Sequence, residues 1–466
     1  MIVRPLPIGL EPLAAAAALA ASPGRVVLHS GRDDDGLGAW SFVAAAPVAT
    51  FAIRAGVATV RDRGGAVRPA EAGAAAEPLA ALAGFLAAHG AALDDVGPAA
   101  VAGGPWPRVM GYLGYDLGRL IERLPPGPAR GADLADAWLG AYDAVARWPD
   151  GGHGQLVAID DAAADRLQAA LAAGPAAPGR APRLGALVAD DDGAAHQARV
   201  RRILDYIAAG DVYQVNLARR LVAPIVADGD ALALYAALAE VAPAPYGALI
   251  EADGARLISG SPERFLARAG RGARIETRPI KGTRPRTGRP TDDAARAADL
   301  AVHPKDAAEH LMIVDLERND LGRVARTGSV AVDRLGYVVE LPALYHLVST
   351  VSAELRPDVD WAALLRATFP GGSITGAPKV RALEIIDELE PVRRGPYCGA
   401  LGWFGGGGAF ELAIAIRVAT LVAGELRLHV GGGIVADSDP AAELAETEDK
   451  AAGWRATLAA LAARAG

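Results

Sequence analysis

Short aliphatic runs closed off by turn residues recur along this sequence. Residues 25–30, 48–54 and 154–159 have the length and β-branched content of strands. Apolar spacing with polar flanks predicts a helix over residues 77–89, and a second is expected over 162–173. Residues 174–182 hold three prolines and two glycines and read as a linker or exposed loop. That break divides the chain into a front region, 1–185, and a second region, 186–466. Beyond it Val200, Ile203, Leu204 and Ile207 mark a helix over 194–209, stopped at Gly210. Strands over 248–251, 255–259, 412–417 and 426–430 are expected to alternate with helices over 291–301, 306–314, 361–367, 378–389 and 440–463. No fixed-period repeat is present, which excludes solenoids and propellers. Periodicity alone gives mixed α and β.

At roughly 150 residues per domain, 466 residues make about three units or one large body. Hydrophobic residues at 52% and charged residues at 22% exclude wholesale disorder. The net charge of −8 argues against nucleic acid or an anionic membrane as the main partner. The lone cysteine, Cys398, can build neither a disulfide nor a thiolate zinc cluster within one chain, which fits a reducing compartment. The start lacks a basic segment followed by a long apolar one, so no signal peptide is expected. The apolar stretch 13–21 is shorter than the about 20 residues a bilayer needs. A cytoplasmic protein is the expectation.

Four groups of residues can carry chemistry. Lys281 lies in Arg278-Pro279-Ile280-Lys281-Gly282-Thr283-Arg284-Pro285-Arg286, where Pro279 stiffens the chain and Gly282 admits close approach. Crowding by three arginines would favour a neutral, nucleophilic amine; a solvated basic loop is the other reading. Asp306 with Glu309, and Glu443 with Glu446, are acidic pairs at i, i+3, each on one helix face. Converging, they would need a divalent cation, and oxygen-only donors point to Mg²⁺; otherwise they are solvated helix surface, with Lys450 a salt-bridge partner. Gly371-Gly372-Ser373-Ile374-Thr375-Gly376-Ala377-Pro378-Lys379 ends at a helix start, where free amides bind anions, but Ala377 stands where a phosphate loop requires Lys. Gly431, Gly432 and Gly433 suit a backbone nest for a carboxylate, or simply a turn. Glu263, His346, Tyr397 and Arg417 are isolated candidates that mean little singly.

In order, these stretches resemble the chorismate-utilising enzymes, the family of the large subunits of anthranilate synthase and aminodeoxychorismate synthase, with isochorismate and salicylate synthases as cousins. The likeness runs from about Asp211 to Lys450, and more weakly through Gly111-Tyr112-Leu113-Gly114-Tyr115-Asp116-Leu117-Gly118-Arg119. It implies an α+β fold of two large stacked antiparallel sheets with flanking and interior helices. Pro279-Ile280-Lys281-Gly282-Thr283 resembles the aminodeoxychorismate branch, whereas anthranilate synthases carry Ala at the lysine. Gln214 replaces the lysine base of the isochorismate branch.

The resemblance implies a transferase of folate and p-aminobenzoate biosynthesis that makes 4-amino-4-deoxychorismate from chorismate and ammonia. Lys281 would attack ring carbon C2 and Glu263 would protonate the departing C4 hydroxyl. Ammonia would then displace the lysine. Mg²⁺ would be held by Glu309 and Glu446, with Asp306 and Glu443. Gln214, Thr283, Ser373, Tyr397, Arg417, the amides of Gly431 to Gly433 and Lys450 would bind substrate, Tyr397 and Arg417 at the enolpyruvyl carboxylate. His346 matches a family histidine tied to pyruvate elimination. Ammonia would come from a glutamine amidotransferase subunit bound in trans, because Cys398 has no nucleophile-elbow context. Val27-Leu28-His29-Ser30 and Pro243-Ala244-Pro245-Tyr246 resemble segments lining a tryptophan pocket, and His29 stands where feedback-sensitive relatives have Glu; tryptophan binding is left open. The competing readings are anthranilate synthase component I and a non-catalytic paralogue.

Overall fold

The computed structural model describes residues 1–31, 37–70, 77–95, 97, 100–128, 131, 133–174, 177–270, 272, 274–341 and 344–465. Among them two large sheets form, one of 13 strands and one of 12, and every strand pair in both is antiparallel. Both sheets draw strands from either side of residue 185. In the first, Val26–His29 pairs with Tyr246–Ala252; in the second, Pro107–Leu113 pairs with Ala400–Gly405.

The sheets face each other across one core, where Phe42 of the first lies 5.7 Å from Trp403 of the second, ring centre to ring centre. Trp138 and Trp361 are almost wholly buried there. Each such aromatic contributes roughly 4–6 kcal/mol from the area removed from water. A second core lies between the outer face of the first sheet and the helices Pro12–Ala18, Asp161–Ala173, Ala231–Val241 and Pro440–Ala465. Ala15, Ala16 and Ala17 are fully buried, so this alanine run serves close helix-to-sheet packing.

The expected helices form with shifted ends: Pro78–Ala88, Asp161–Ala173, Gly193–Ala208, Pro290–Val302, Pro304–Gly322, Trp361–Thr368, Lys379–Leu389 and Pro440–Ala465. Asp160 and Asp192 cap two of them through their side chains, satisfying the N–H groups of Ala163 and Ala195. Simple alternation of strand and helix in the second region does not hold, since Ala331–Glu340 and Leu344–Glu354 follow one another as a hairpin. The strand expected to reach Arg417 ends at Ile414. Of the proline-rich stretch 174–182, residues 175 and 176 lie outside the described residues, and Gly179 is tied down by its N–H to Asp230. Among the described residues no helix is long and apolar enough to cross a membrane.

Candidate active site

The site is built where the strand Ile280–Pro285 meets the helix Pro304–Gly322. The strand pairs with Leu344–Glu354, placing Lys281 opposite Leu347 and Thr283 opposite His346, with one extra residue bulged between them. That residue is Gly282, at φ +75°; a Cβ there would lie 2.9 Å from Leu300 Cδ1. The bulge re-aims the neighbouring side chains. Lys281 Nζ reaches Glu309 Oε1 at 3.1 Å, and Thr283 Oγ1 meets His346 Nδ1 at 3.0 Å. The Lys281 side chain is only 12% exposed. It therefore lies inside the site, beside an acidic residue, and not in bulk water.

The arginine crowding read from the sequence does not occur. Arg278 shares Glu276 with Arg264, Arg284 bonds to Asp299 and Asp306, and Arg286 to Glu340, so each of the three guanidiniums is paired with a carboxylate. What faces Lys281 is acidic. Glu263 is 5% exposed, and burial pushes its carboxyl up to about 7 even though Ser373, Lys281, the Ile280 amide and Arg417 all favour the charged form. A carboxyl of that kind can hold a proton near neutrality and give it up.

Arg417 occupies a turn at φ +51°, just before the strand Val418–Val422. Burial lowers its pKa, Glu263 opposes that, and no ion pair or hydrogen bond of the guanidinium is formed among the described residues. His346 is buried with its Nε2 unpartnered, and burial lowers it to about 3, so the ring is neutral. Tyr397 is buried and stacks on His429 with ring centres 5.4 Å apart.

Gly431, Gly432 and Gly433 do not form a nest. They continue the strand Glu425–Ile434 and pair with Ala218, Leu217 and Asn216. The neighbour on the other edge, Val418–Val422, pairs only as far as Leu428, which leaves that edge of the glycine run open. Their lack of side chains admits the acidic residues. A Cβ on Gly433 would lie 3.0 Å from Glu309 Oε1 and 2.1 Å from Gln214 Nε2; one on Gly432 would lie 3.2 Å from both Glu443 Oε2 and Glu446 Oε1.

Gln214 Nε2 donates to Glu309 at 3.2 Å, and its Oε1 is buried without a partner. Lys450 Nζ donates to the Gly431 carbonyl and pairs with Glu446, both at 2.7 Å, and Ser438 donates to Glu443 at 2.6 Å. Asp306 departs from the expected quartet: Arg284 holds it at 2.7 Å. Among the described residues no three His, Cys, Asp or Glu side chains gather as a ready metal cage.

In the Gly371–Lys379 stretch the amides of Gly372 and Ser373 already have a partner in the protein. Glu317 Oε1 accepts the N–H groups of Gly372 at 3.0 Å and Ser373 at 3.3 Å, which leaves the Ser373 hydroxyl for the site, and Lys379 pairs with Asp320. Glu317 and Asp320 were not singled out from the sequence, where the expected helix stops at residue 314; the helix in fact runs to Gly322. His310 also escaped it; it bonds Ser349 at 2.6 Å and burial lowers it to about 4. Cys398 is fully buried and its thiol is pushed up to about 12, so it is no thiolate nucleophile.

Residues 39–455 match the family described as chorismate binding enzyme. The chain belongs to that family. It is 45% identical over 342 residues to aminodeoxychorismate synthase component 1 of Klebsiella aerogenes, covering 73% of this chain and 75% of the relative. Against the protein of the same name from Escherichia coli (strain K12) it is 42% identical over 348 residues, covering 73% and 74%. An anthranilate synthase component 1 of Haloarcula marismortui is 40% identical over 370 residues, covering 74% and 75%. Among solved structures, anthranilate synthase component I from Streptococcus pneumoniae superposes with a TM-score of 0.75 at 27% identity, covering 90% of this chain and 92% of that one. Two stacked antiparallel sheets with helices are thus the fold of this chorismate-binding enzyme, as the resemblance implied.

The segments that resemble a tryptophan pocket line a cavity of about 30 Å³ among His29, Ser30, Tyr246, Trp403 and Glu411. That is room for one or two waters, too little for an indole. His29 Nδ1 meets Tyr235 Oη at 2.9 Å, and burial lowers the ring to about 4.

Proposed function

We propose that this chain is the chorismate-using component of an aminodeoxychorismate synthase, with Lys281 as nucleophile. The observation that carries the reading is the placing of Lys281: a half-enclosed amine between Glu309 and a buried, protonatable Glu263, with the unpaired Arg417 close to Glu263. An anthranilate-type reaction needs no amine there.

The Lys281 amine, as free base, attacks C2 of chorismate. The ring double bond shifts and the C4 hydroxyl leaves, taking the Glu263 proton and departing as water. Ammonia then bonds to C4, the double bond shifts back, and the C2–lysine bond breaks, releasing the lysine as the neutral amine it began as; the proton shed by the new C4 ammonium returns to Glu263. Atoms and charge balance, and the enolpyruvyl group is retained. Arg417 matches a carboxylate of the substrate by charge, and Tyr397 with the amides of Gly431 to Gly433 would complete its binding. Neutral His346, anchored by Thr283, orients substrate without exchanging a proton. Gln214 fixes Glu309.

Oxygen donors of this kind suit Mg²⁺. Glu443 and Glu446 border the side-chain-free Gly432 and Glu309 borders Gly433, near one another though not gathered around one point, and Lys450 pairs with Glu446. Bound there, Mg²⁺ would supply the countercharge that lets a substrate carboxylate approach these acids. Ammonia comes from a glutamine amidotransferase subunit in trans, a reading supported by the "component 1" in the relatives' names.

The test is product identification by chromatography, with chorismate, Mg²⁺ and ammonia. 4-Amino-4-deoxychorismate without pyruvate is expected. Fluorescent anthranilate with pyruvate would make the chain an anthranilate synthase component instead, and no Mg²⁺-dependent turnover would make it a binding paralogue.

A further inference from the structure

The helix that carries Glu309 presents a second carboxyl to the site, eight residues and so roughly two turns further on. Glu317 is 3% exposed. Its Oε1 accepts both the Gly372 and the Ser373 N–H, and Thr277 Oγ1 lies 3.4 Å from its Oε2. The turn comes this close because residue 372 is glycine: a Cβ there would lie 2.7 Å from Leu316 Cδ2 and 3.3 Å from Glu317 Oε1. Ser373, held by its amide, keeps its hydroxyl buried and without a hydrogen bond of ordinary geometry, yet near enough to Glu263 to favour that group's ionised form.

The charged groups that face Glu317 are Asp320 on its own helix, Lys379 on the helix Lys379–Leu389, and Glu263 across the turn. Burial dominates and pushes Glu317 up to about 8; Asp320 and Glu263 add to it, while Lys379 and the Ser373 amide oppose it. A purely structural position here would be served as well by an apolar side chain of similar volume. The carboxyl does what an apolar chain cannot: it binds two successive amides and sets the turn.

We infer that Glu317 is a positioning residue for Glu263, its carboxyl fixing the Gly372–Ser373 turn that aims the Ser373 hydroxyl at the general acid. The inference rests on Glu263 acting as the acid, so the experiment includes a reading that needs no turnover. Carbon-13 NMR titration of the glutamate carboxyls, with the Glu263 signal assigned by its loss in Glu263→Gln, is run beside kcat against pH in the full-length protein.

In Glu317→Ala the hydroxyl loses its aim and Glu263 loses a contact that favours its charge. Its titration midpoint, and with it the alkaline limb of kcat, should rise by about half a unit or more. kcat should fall on the order of tenfold with KM for chorismate little changed. Glu317→Gln keeps an oxygen for both amides and should stay near wild type. Ser373→Ala leaves the turn in place and should reproduce the upward shift, so the reading survives poor folding of the first variant. An unmoved Glu263 midpoint in folded Glu317→Ala, or in Ser373→Ala, overturns the inference. A shifted midpoint in a protein that does not consume chorismate supports it, and counts instead against the proposed reaction.

Discussion

One carboxyl and one amine decide the chemistry. Glu263 must carry its proton to release water, and its pKa near 7 means that the competent fraction falls as pH rises through neutrality. The kcat profile should therefore show an alkaline limb near pH 7. Glu263→Gln, which cannot give up a proton, should lower kcat by roughly 10²- to 10⁴-fold at every pH and remove that limb; a limb that persists in the variant assigns it to another group. At this scale the sequence was informative about residue types and poor on their partners. Lys281 was legible because one position separates amine from alanine chemistry in the family pattern. Its surroundings were misread, because the side chains of Arg278, Arg284 and Arg286 turn to carboxylates that lie up to 54 residues away along the chain (Glu340 from Arg286). Glu317 was invisible because its burial comes from a turn 55 residues away.

Secondary elements do the aiming. The bulge at Gly282 and the run Gly431 to Gly433 were readable as glycines but not as what they are, a register shift and a strand without side chains. Both depend on partner strands that no local pattern specifies. The run makes a specific prediction. Gly433→Ala would place a methyl 2.1 Å from Gln214 Nε2 and 3.0 Å from Glu309 Oε1, which the neighbours can relieve only by moving Gln214 and Glu309. Chorismate turnover should drop on the order of a hundredfold, and half-saturation should need more Mg²⁺. Circular dichroism should remain that of the wild type. Full activity in Gly433→Ala would show that these two side chains need not hold their places.

Taken whole, the molecule cannot be cut at the proline-rich stretch near residue 185, because each sheet joins front and rear strands edge to edge. Most of the helices were legible in the sequence, except Pro12–Ala18 and Ala231–Val241, which are rich in alanine and leucine on every face. Most of the central strands were not, because strands buried on both faces lose the alternation that marks a half-buried one. Wholesale burial also sets the response to acid. His29, His196 and His310 are held down to about 4, and His346 and His429 to about 3, against 6.5 in the unfolded chain. At these rings the unfolded chain thus binds more protons between those values, so their contribution to stability falls as pH drops from 6.5 towards 4. Glu263, Glu317 and Asp387, raised to about 7, 8 and 6, work the other way above pH 4.5, as do Asp116, Asp136 and Asp320, also raised by burial, so the two sets oppose each other. Urea midpoints should therefore change little from pH 6.5 to 4.5, and a steep fall would mean that the imidazoles outweigh the carboxyls. The reaction itself is tested most directly on the intact chain, incubated with chorismate and Mg²⁺ but no ammonia, by mass spectrometry of the protein and of the fragment that carries Lys281. An adduct with the mass of chorismate less one water, sited on Lys281, is the expected result. An unmodified chain whose Lys281→Ala variant makes 4-amino-4-deoxychorismate at the full rate contradicts it.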